Sequence, residues 1–265
     1  MSKEMNILEL RSVTKVFADD YGTKKKVLEN ISFTISADSP KITSIIASFG
    51  GGKSTLLKLI AGIEKPDSGE VILNGGKYLQ PEGKIVLIPE KSVSLPWLNV
   101  IKNIELACGL ETCGKNNRRY EINDLISLVG LSGYENHYPH NESFGFRFRI
   151  SLARALMFNP VVLLLDDCFK KMDQTAREEI YTLVYEISRK TDTYFLIATT
   201  NVSEAVRLSG KVFMMSKDPA AIYKEINIPE EFISDYKSEQ FTEFRRMIED
   251  AFNKENQPGI INFSI

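Results

Sequence analysis

The feature that most constrains this chain is a glycine-rich segment, ASFGGGKST, at residues 47–55. It follows the strand-like run Lys41 to Ile46 and precedes Leu56 to Ala61, whose apolar residues have helical spacing. Glycines in such a loop let backbone amides approach phosphate oxygens, and the N-terminus of the following helix adds its positive dipole end. The spacing is that of a phosphate-binding P-loop with alanine in place of the first glycine.

The loop predicts separate roles for its side chains. Lys53 would reach the β- and γ-phosphates of a nucleotide, and the Ser54 hydroxyl would ligate Mg²⁺. A chance glycine-rich turn before a helix is the alternative, which the Lys-Ser-Thr sequence and the strand–loop–helix order disfavour. The loop residues expected to bind the nucleotide are Ser48, Gly50, Gly51, Gly52, Lys53, Ser54 and Thr55.

A second segment supplies the acidic residues that a nucleotide site needs. Val161 to Leu165 is continuously apolar, which is typical of a buried parallel strand, and Asp166 and Asp167 follow it. Asp166 would hold the Mg²⁺ shell, and Asp167 would act as a general base or orient water. Two acids after an apolar run are alternatively helix N-caps, but the phosphate loop upstream favours the metal-site interpretation.

Composition excludes several classes of protein. Among 265 residues, 33 Lys and Arg stand against 35 Asp and Glu, so charge gives no case for nucleic-acid or anionic-membrane binding. No apolar run approaches the ~18 residues of a membrane span, and no signal peptide is visible. Three cysteines without a CxxC spacing favour a reduced cytosolic protein. With only His137 and His140, a His-based zinc or serine-hydrolase site is disfavoured.

Strand and helix patterns alternate along the chain. Residues 98–156 are predicted to be mainly helical, and 18–26 to form a polar loop. From Pro229 the sequence is polar, with a charged helix near 239–253 and no new apolar core expected. Strands are predicted at 6–10, 31–35, 41–46, 70–73, 161–165, 194–199 and 211–215, and helices at 54–61, 175–190 and 203–209.

With these motifs in place, residues 7 to 215 resemble the ATPase subunit of ABC transporters. Residues 56–71, LLKLIAGIEKPDSGEV, are close to what that family has after its phosphate loop. Leu152 to Leu156 and Asn159-Pro160 resemble the helix end before its Walker B strand. Residues 95–100, LPWLNV, resemble the nitrate/sulfonate/taurine importer branch.

The resemblance implies an α/β fold with a RecA-like P-loop NTPase core, an antiparallel β lobe and a helical subdomain. Residues 1–90 and 155–220 would form the nucleotide-binding core with its lobe, 91–154 the helical subdomain, and 221–265 a C-terminal helical tail. Phe17 matches the family's adenine-stacking aromatic; Tyr21 is the rival, and a strand-end core Phe is the alternative.

The same resemblance implies ligands and partners. The ligands are ATP and Mg²⁺. The partners are an integral-membrane permease and, as a dimer, a second copy of this chain or another ABC ATPase subunit. The location implied is cytoplasmic, on the inner face of the cell membrane through the permease. Trp97 would lie on the permease-facing surface, unless it is a buried packing residue.

Several positions depart from the family's pattern. The Q-loop glutamine falls at Pro89, which has neither an amide side chain nor an N–H. The catalytic glutamate position holds Asp167, one methylene shorter, and the switch-histidine position holds Thr200. The D-loop keeps Asp173. These changes predict that hydrolysis is slow or lost.

The signature Leu-Ser-Gly-Gly-Gln aligns with ESFGF, which keeps only Ser143 and Gly145. Phe144 puts a ring where the helix start must approach the partner's γ-phosphate. Alternatively Phe144, Phe146 and Phe148 are core aromatics, although their two-residue spacing leaves at least one exposed.

The sequence therefore predicts a cytosolic ATP-binding subunit of an ABC transporter. An importer of the nitrate/sulfonate/taurine type, which couples ATP binding and slow hydrolysis to solute transport, is the main interpretation. The alternative is a hydrolysis-deficient regulatory or structural subunit of a transporter complex. A soluble ABC protein of translation or repair is disfavoured, because the chain is too short for tandem cassettes.

Overall fold

The strand-forming segments fold into two separate sheets. The structure is a computed structural model that describes residues 6–18, 21–78, 83–91, 93–109 and 120–256. Its strands are β1 (Asn6–Ala18), β2 (Lys24–Ser36), β3 (Ile42–Ile46), β4 (Ser68–Leu73), β5 (Gly76–Lys77), β6 (Ile85–Ile88), β7 (Val162–Asp166), β8 (Tyr194–Thr199), β9 (Lys211–Met215) and β10 (Ile222–Asn227). Its helices are α1 (Lys53–Ile60), α2 (Val100–Glu105), α3 (Ile122–Leu128), α4 (Phe144–Leu156), α5 (Gln174–Lys190), α6 (Val202–Leu208), α7 (Glu230–Ser234) and α8 (Glu239–Asn256).

The first sheet is antiparallel and forms a lobe. Its strand order is β2-β1-β4-β5. Strands β1 and β2 are longer than predicted, because Lys24 to Lys26 belong to β2 and pair with Val16 to Ala18 of β1. The polar loop predicted over 18–26 is therefore too long. Three consecutive exposed lysines lack the apolar alternation that marks a strand in the sequence. They are nevertheless part of β2, because they pair with β1.

The second sheet has the order β10-β9-β3-β8-β7-β6. Its strands from β9 to β6 pair in parallel, and β10 adds an antiparallel edge. β3, β7 and β8 are buried along their whole length, which explains the continuous apolar run from Val162 to Leu165 in β7. Residues 194–199 and 211–215 form strands with the predicted bounds.

Alternate residues of the central strands pack into two different hydrophobic cores, one on each face of the sheet. Leu163 and Leu165 of β7 pack with α4 and α5, whereas Leu164 packs with α1 and the antiparallel lobe. The sheet is thus covered on both faces, as its sequence requires. Between 98 and 156 the described residues contain α2, α3 and α4, with 3₁₀ turns at Leu106–Gly109 and Pro139–Asn141.

The C-terminal segment differs from its prediction. The expected charged helix exists as α8, but the expectation of no new apolar core is wrong. Phe241, Ile248 and Phe252 are buried on one face of α8 and pack, with Phe232, against α6 and β9. Their spacing of seven and four residues places them on one face of the helix. The composition of the segment does not show this face, because charged residues lie between the apolar ones.

No helix within the described residues is long and apolar enough to cross a membrane. The division into units at residues 90, 155 and 220 stays a prediction.

Candidate nucleotide-binding site

The carboxyl ends of four neighbouring strands bring the predicted residues together. Ile46 at the end of β3 pairs in register with Thr199 at the end of β8, and Ala198 pairs with Asp166 at the end of β7. Pro89 follows β6, the next strand along. Ligands of open parallel sheets bind at this edge, so the segments after these strands form the candidate site.

The phosphate loop connects β3 to α1 through two glycines with left-handed backbone. Gly50 and Gly52 have φ of 75° and 76°, which other residues adopt at a cost. A Cβ on Gly52 would lie 2.7 Å from the side chain of Leu28 in β2, so the loop also packs tightly against the lobe. Gly51 N–H donates to the Ser48 carbonyl (3.0 Å), which closes the loop in front of α1.

Lys53 points back into the loop rather than out to solvent. Its buried Nζ donates to the carbonyl oxygens of Ala47 (3.1 Å) and Ser48 (3.2 Å). The same atom lies 3.7 Å from Asp167 Oδ2. Burial lowers the pKa of Lys53, and the carboxylates of Asp167 and Asp166 oppose that shift. The ammonium therefore stands at the centre of the loop, among oxygen atoms.

Asp166 has the surroundings of a metal ligand. It is 7% exposed, its carboxylate is hydrogen-bonded to the Ser54 side chain, and Oδ1 has no hydrogen-bond partner. Burial raises its pKa, and the Ser54 hydrogen bond counteracts this. An orphaned carboxylate oxygen beside a hydroxyl is the oxygen donor set that Mg²⁺ takes together with phosphate. The residues present therefore fit Mg²⁺.

Asp167 and Thr200 are brought into contact by β7 and β8. The Thr200 N–H donates to Asp167 Oδ1 (3.1 Å), and the Asp167 N–H donates to the Ala198 carbonyl (2.8 Å). Asp167 has a φ of 45°, uncommon for a residue with a side chain. Neither acid is a helix N-cap; that role belongs to Asp173, whose carboxylate accepts from Ala176 N–H at the start of α5.

The segment after β6 contains a carboxylate that sequence reasoning did not select. Glu90 is close enough to contribute, after burial and Asp167, to the raised pKa of Asp166. It also pairs with Lys171, at 3.7 Å. Cys168 Sγ donates to the Ile88 carbonyl (3.2 Å), tying the end of β6 to the segment after β7. In the sequence, Glu90 could have been found as the acid that directly follows Pro89 at the Q-loop position.

Ser143 and Gly145 lie elsewhere, at the start of α4. Ser143 Oγ accepts from the Phe146 N–H (3.2 Å) and caps the helix, and both residues line a separate cleft of 230 Å³. Phe148 is buried, Phe146 packs edge-on against Tyr134, and the Phe144 ring is 40% exposed. The expectation that at least one of the three aromatics is exposed is confirmed.

The two candidates for adenine stacking are both accessible. Phe17, at the end of β1, is 40% exposed, which argues against a core role, and the Lys15 ammonium lies 5.3 Å from its ring centroid. Tyr21 is almost fully exposed. Exposure does not decide between the two, so the choice of Phe17 stays a prediction.

A buried acid beside the site was also missed. Glu204 of α6 accepts a hydrogen bond from Tyr181 Oη (3.0 Å) and one from Thr199. Burial raises its pKa from 4.5 to about 7; Asp167 adds to the shift, whereas Thr199, Tyr181 and Arg177 oppose it. The sequence signal was a glutamate among the buried residues of a short helix.

This pKa predicts a pH dependence of stability. The folded chain favours protonated Glu204 more than the unfolded chain does. The stability that this preference gives the folded chain is complete below pH 4.5 and is lost as pH rises through about 7. The free energy of unfolding should fall by about 3 kcal/mol across that range. Glu204→Gln should flatten the melting temperature measured from pH 5 to 8.5, whereas Glu186→Gln, on the exposed face of α5, should not. Parallel curves for the native protein and Glu204→Gln would contradict it.

Comparison with known proteins agrees with this geometry. The ABC transporter family model matches residues 28–170. The chain is 32% identical to the aliphatic sulfonates import ATP-binding protein SsuB of Bacillus cereus, over 92% of this chain and 95% of that one. It is 34% identical to the taurine import ATP-binding protein TauB of Burkholderia pseudomallei, over 80% of both.

Solved structures agree in fold. CbiO1 of Clostridium perfringens, part of the ABC transporter complex cbiONQ, superposes with a TM-score of 0.74 at 22% identity, over 93% of this chain and 100% of that one. The dimeric ATP-binding cassette MJ0796 gives 0.70 at 23% identity, over 84% and 99%. These likenesses confirm the predicted fold class. With the family match and the identity to importer subunits, they show that the chain belongs to the ABC transporter family.

Proposed function

We propose that the chain is the ATP-binding subunit of an importer of the nitrate/sulfonate/taurine type. The observation that carries the proposal is the buried Asp166 with a free Oδ1, hydrogen-bonded to Ser54 at the mouth of a glycine loop that holds Lys53. The named functions of its sulfonate and taurine relatives support the importer type.

In this function each element of the loop binds one part of MgATP. The amides of Gly50 to Gly52 and the N-terminus of α1 face the phosphates, and Lys53 moves its ammonium to the β- and γ-phosphate oxygens. Ser54 and Asp166 hold Mg²⁺, which when bound neutralises charge on the phosphate chain. Phe17 stacks on the adenine from the lobe side.

Two residues of this site would slow the chemical step of hydrolysis, in addition to any obstruction of dimer closure by Phe144. Asp167 would have to orient water, but its oxygens are engaged by the Thr200 N–H and lie near Lys53. Its side chain is one methylene shorter than glutamate, and a misplacement of ~1 Å costs ~10²-fold in rate. Thr200 has no imidazole with which to contact the γ-phosphate. The alternative function, a regulatory subunit that binds but does not hydrolyse ATP, rests on the same residues.

An apolar groove beside the Q-loop segment is suited to a permease helix. The groove has a volume of 380 Å³ and lies between β6, α4 and the 3₁₀ turn after α2. Its apolar lining includes Val86, Val93, Leu106 and Phe158. Trp97, which precedes α2 in the sequence, is 68% exposed, so the alternative of a buried packing tryptophan is wrong. The importer function places the chain on the inner face of the membrane through this permease, paired with a second ABC ATPase subunit or copy.

The proposal predicts that Trp97→Ala weakens co-purification with the permease subunit by about tenfold in affinity, while ATP binding stays unchanged. Exposed aromatics at the centre of an interface commonly supply this much binding energy. Met247→Ala, which removes an exposed side chain from α8, is the matched control. Undiminished assembly of Trp97→Ala would remove this segment from the interface.

A further inference from the structure

Two lysines outside the P-loop lie next to it. The Lys170 ammonium lies 5.6 Å from the ring centroid of Phe49, a loop residue that is 81% exposed. Lys170 is also close enough to Lys53 to add, after burial, to the lowering of its pKa. The second lysine is Lys217, whose Cε and Nζ come within 3.7 and 3.8 Å of a Cβ built on Gly50.

The backbone that carries Lys217 is fixed against the loop. Ala220 exchanges hydrogen bonds with β2, donating to the Val27 carbonyl (3.0 Å) and accepting from Glu29 N–H (2.9 Å). Its side chain would meet a Cβ on Gly52 at 3.2 Å. These contacts hold the segment from Ser216 to Ala220 beside the P-loop, so Lys217 reaches Gly50 from an anchored position.

The neighbouring charges are already engaged elsewhere. Asp218 pairs with Lys25, at 3.0 Å, and Lys171 pairs with Glu90, at 3.7 Å. Across the described part of the chain, neither Lys170 nor Lys217 forms an ion pair with a carboxylate. Both side chains are exposed. Two long ammonium arms beside a phosphate loop, without an acidic partner, are placed to receive an anionic group.

We propose that Lys170 and Lys217 bind the terminal part of the nucleotide's phosphate chain and give this chain its preference for nucleoside triphosphate over diphosphate. The inference rests on the proposed function, because it requires that the P-loop binds a nucleotide. A triphosphate carries an additional phosphate group beyond the β position, and charge-assisted contacts to it are absent with a diphosphate. The selectivity then comes from the chain's own lysines, without Ser143 and Gly145 of a partner copy.

The test is calorimetric titration of the full chain with MgATP and with MgADP. Lys170→Ala/Lys217→Ala should weaken MgATP binding about tenfold, equivalent to about 1.4 kcal/mol, and MgADP binding less than about twofold. Lys170→Arg/Lys217→Arg should restore most of the preference. The control Lys25→Ala/Lys171→Ala removes the same charge from nearby lysines that are already paired.

Each outcome decides one point. An unchanged ratio of MgATP to MgADP affinity in the alanine variant, or an equal loss in the control, overturns the assignment to these lysines and leaves the proposed function intact. Absence of MgATP binding to the native chain overturns both. If the alanine variant melts lower without ligand, the glutamine pair Lys170→Gln/Lys217→Gln gives the same comparison with longer side chains.

Discussion

Lys53→Ala is expected to remove most of the thermal stabilisation that MgATP confers on the native protein. At a ligand concentration ~100-fold above Kd, binding stabilises the folded chain by about 2.7 kcal/mol. For a chain of this length, that corresponds to a rise in melting temperature of roughly 5–10 °C. Because the Lys53 ammonium sits among the loop oxygens, its loss leaves the phosphates without their central cation.

The measurement is differential scanning fluorimetry with and without millimolar MgATP. Each variant is compared with its own ligand-free melting temperature, since removing a buried ammonium alters stability by itself. Lys58→Ala, on the exposed side of α1, should keep the full shift. An unchanged melting temperature of the native protein on addition of MgATP would refute the nucleotide site.

The second large effect concerns ATP turnover. Asp167→Glu/Thr200→His should leave steady-state ATPase near the native level, whereas adding Phe144→Gly/Phe146→Gln should raise it on the order of 10²-fold. The Phe144 ring stands on the first turn of α4, with the Arg147 guanidinium 4.5 Å from its centroid. The family resemblance implies a dimer in which this helix start faces the partner's γ-phosphate, and in such a dimer we expect the ring to obstruct closure before the chemical step.

The assay compares the native protein, both double variants and the quadruple variant with the permease present. Phe146 contacts Tyr134, so the melting temperature of each variant is measured as well. Tyr138→Ala, an exposed aromatic outside the signature, is the matched control. Substantial native ATPase would refute the view that the site is degenerate. A large gain from Asp167→Glu/Thr200→His alone would show that chemistry, rather than closure, limits the rate.

Elements with a local physical cause were predictable from sequence. The strands β7 and β8 are buried on both faces, so each is recognisable in the sequence as an apolar run. The P-loop is recognisable because its glycines and its lysine are contiguous. The apolar face of α8 escaped, because Phe241, Ile248 and Phe252 are separated by charged residues. Strand β10 escaped because its lysine and glutamate resemble a surface loop and its partner β9 supplies the pairing.

The candidate site divides in the same way. Asp166 and Asp167 were predictable as acids at a strand end, yet the Thr200 hydrogen bond depends on β7 lying next to β8. Lys217 is far from the P-loop in sequence and reaches Gly50 only through the packing of Ala220 on β2. Contacts of this kind need the tertiary structure.

The 3.7 Å contact between Lys53 and Asp167 couples the Asp167 carboxylate to the cation that a phosphate would need. The Asp167 carboxylate lies between the Lys53 ammonium and the Thr200 N–H, so two positive groups compete with water for its oxygens. An arriving phosphate would compete for that ammonium with Asp167 and with the carbonyl oxygens of Ala47 and Ser48, to which the ammonium donates. We therefore expect the Asp167 carboxylate to lose its cation when a phosphate takes the ammonium, so that its availability to water depends on nucleotide binding.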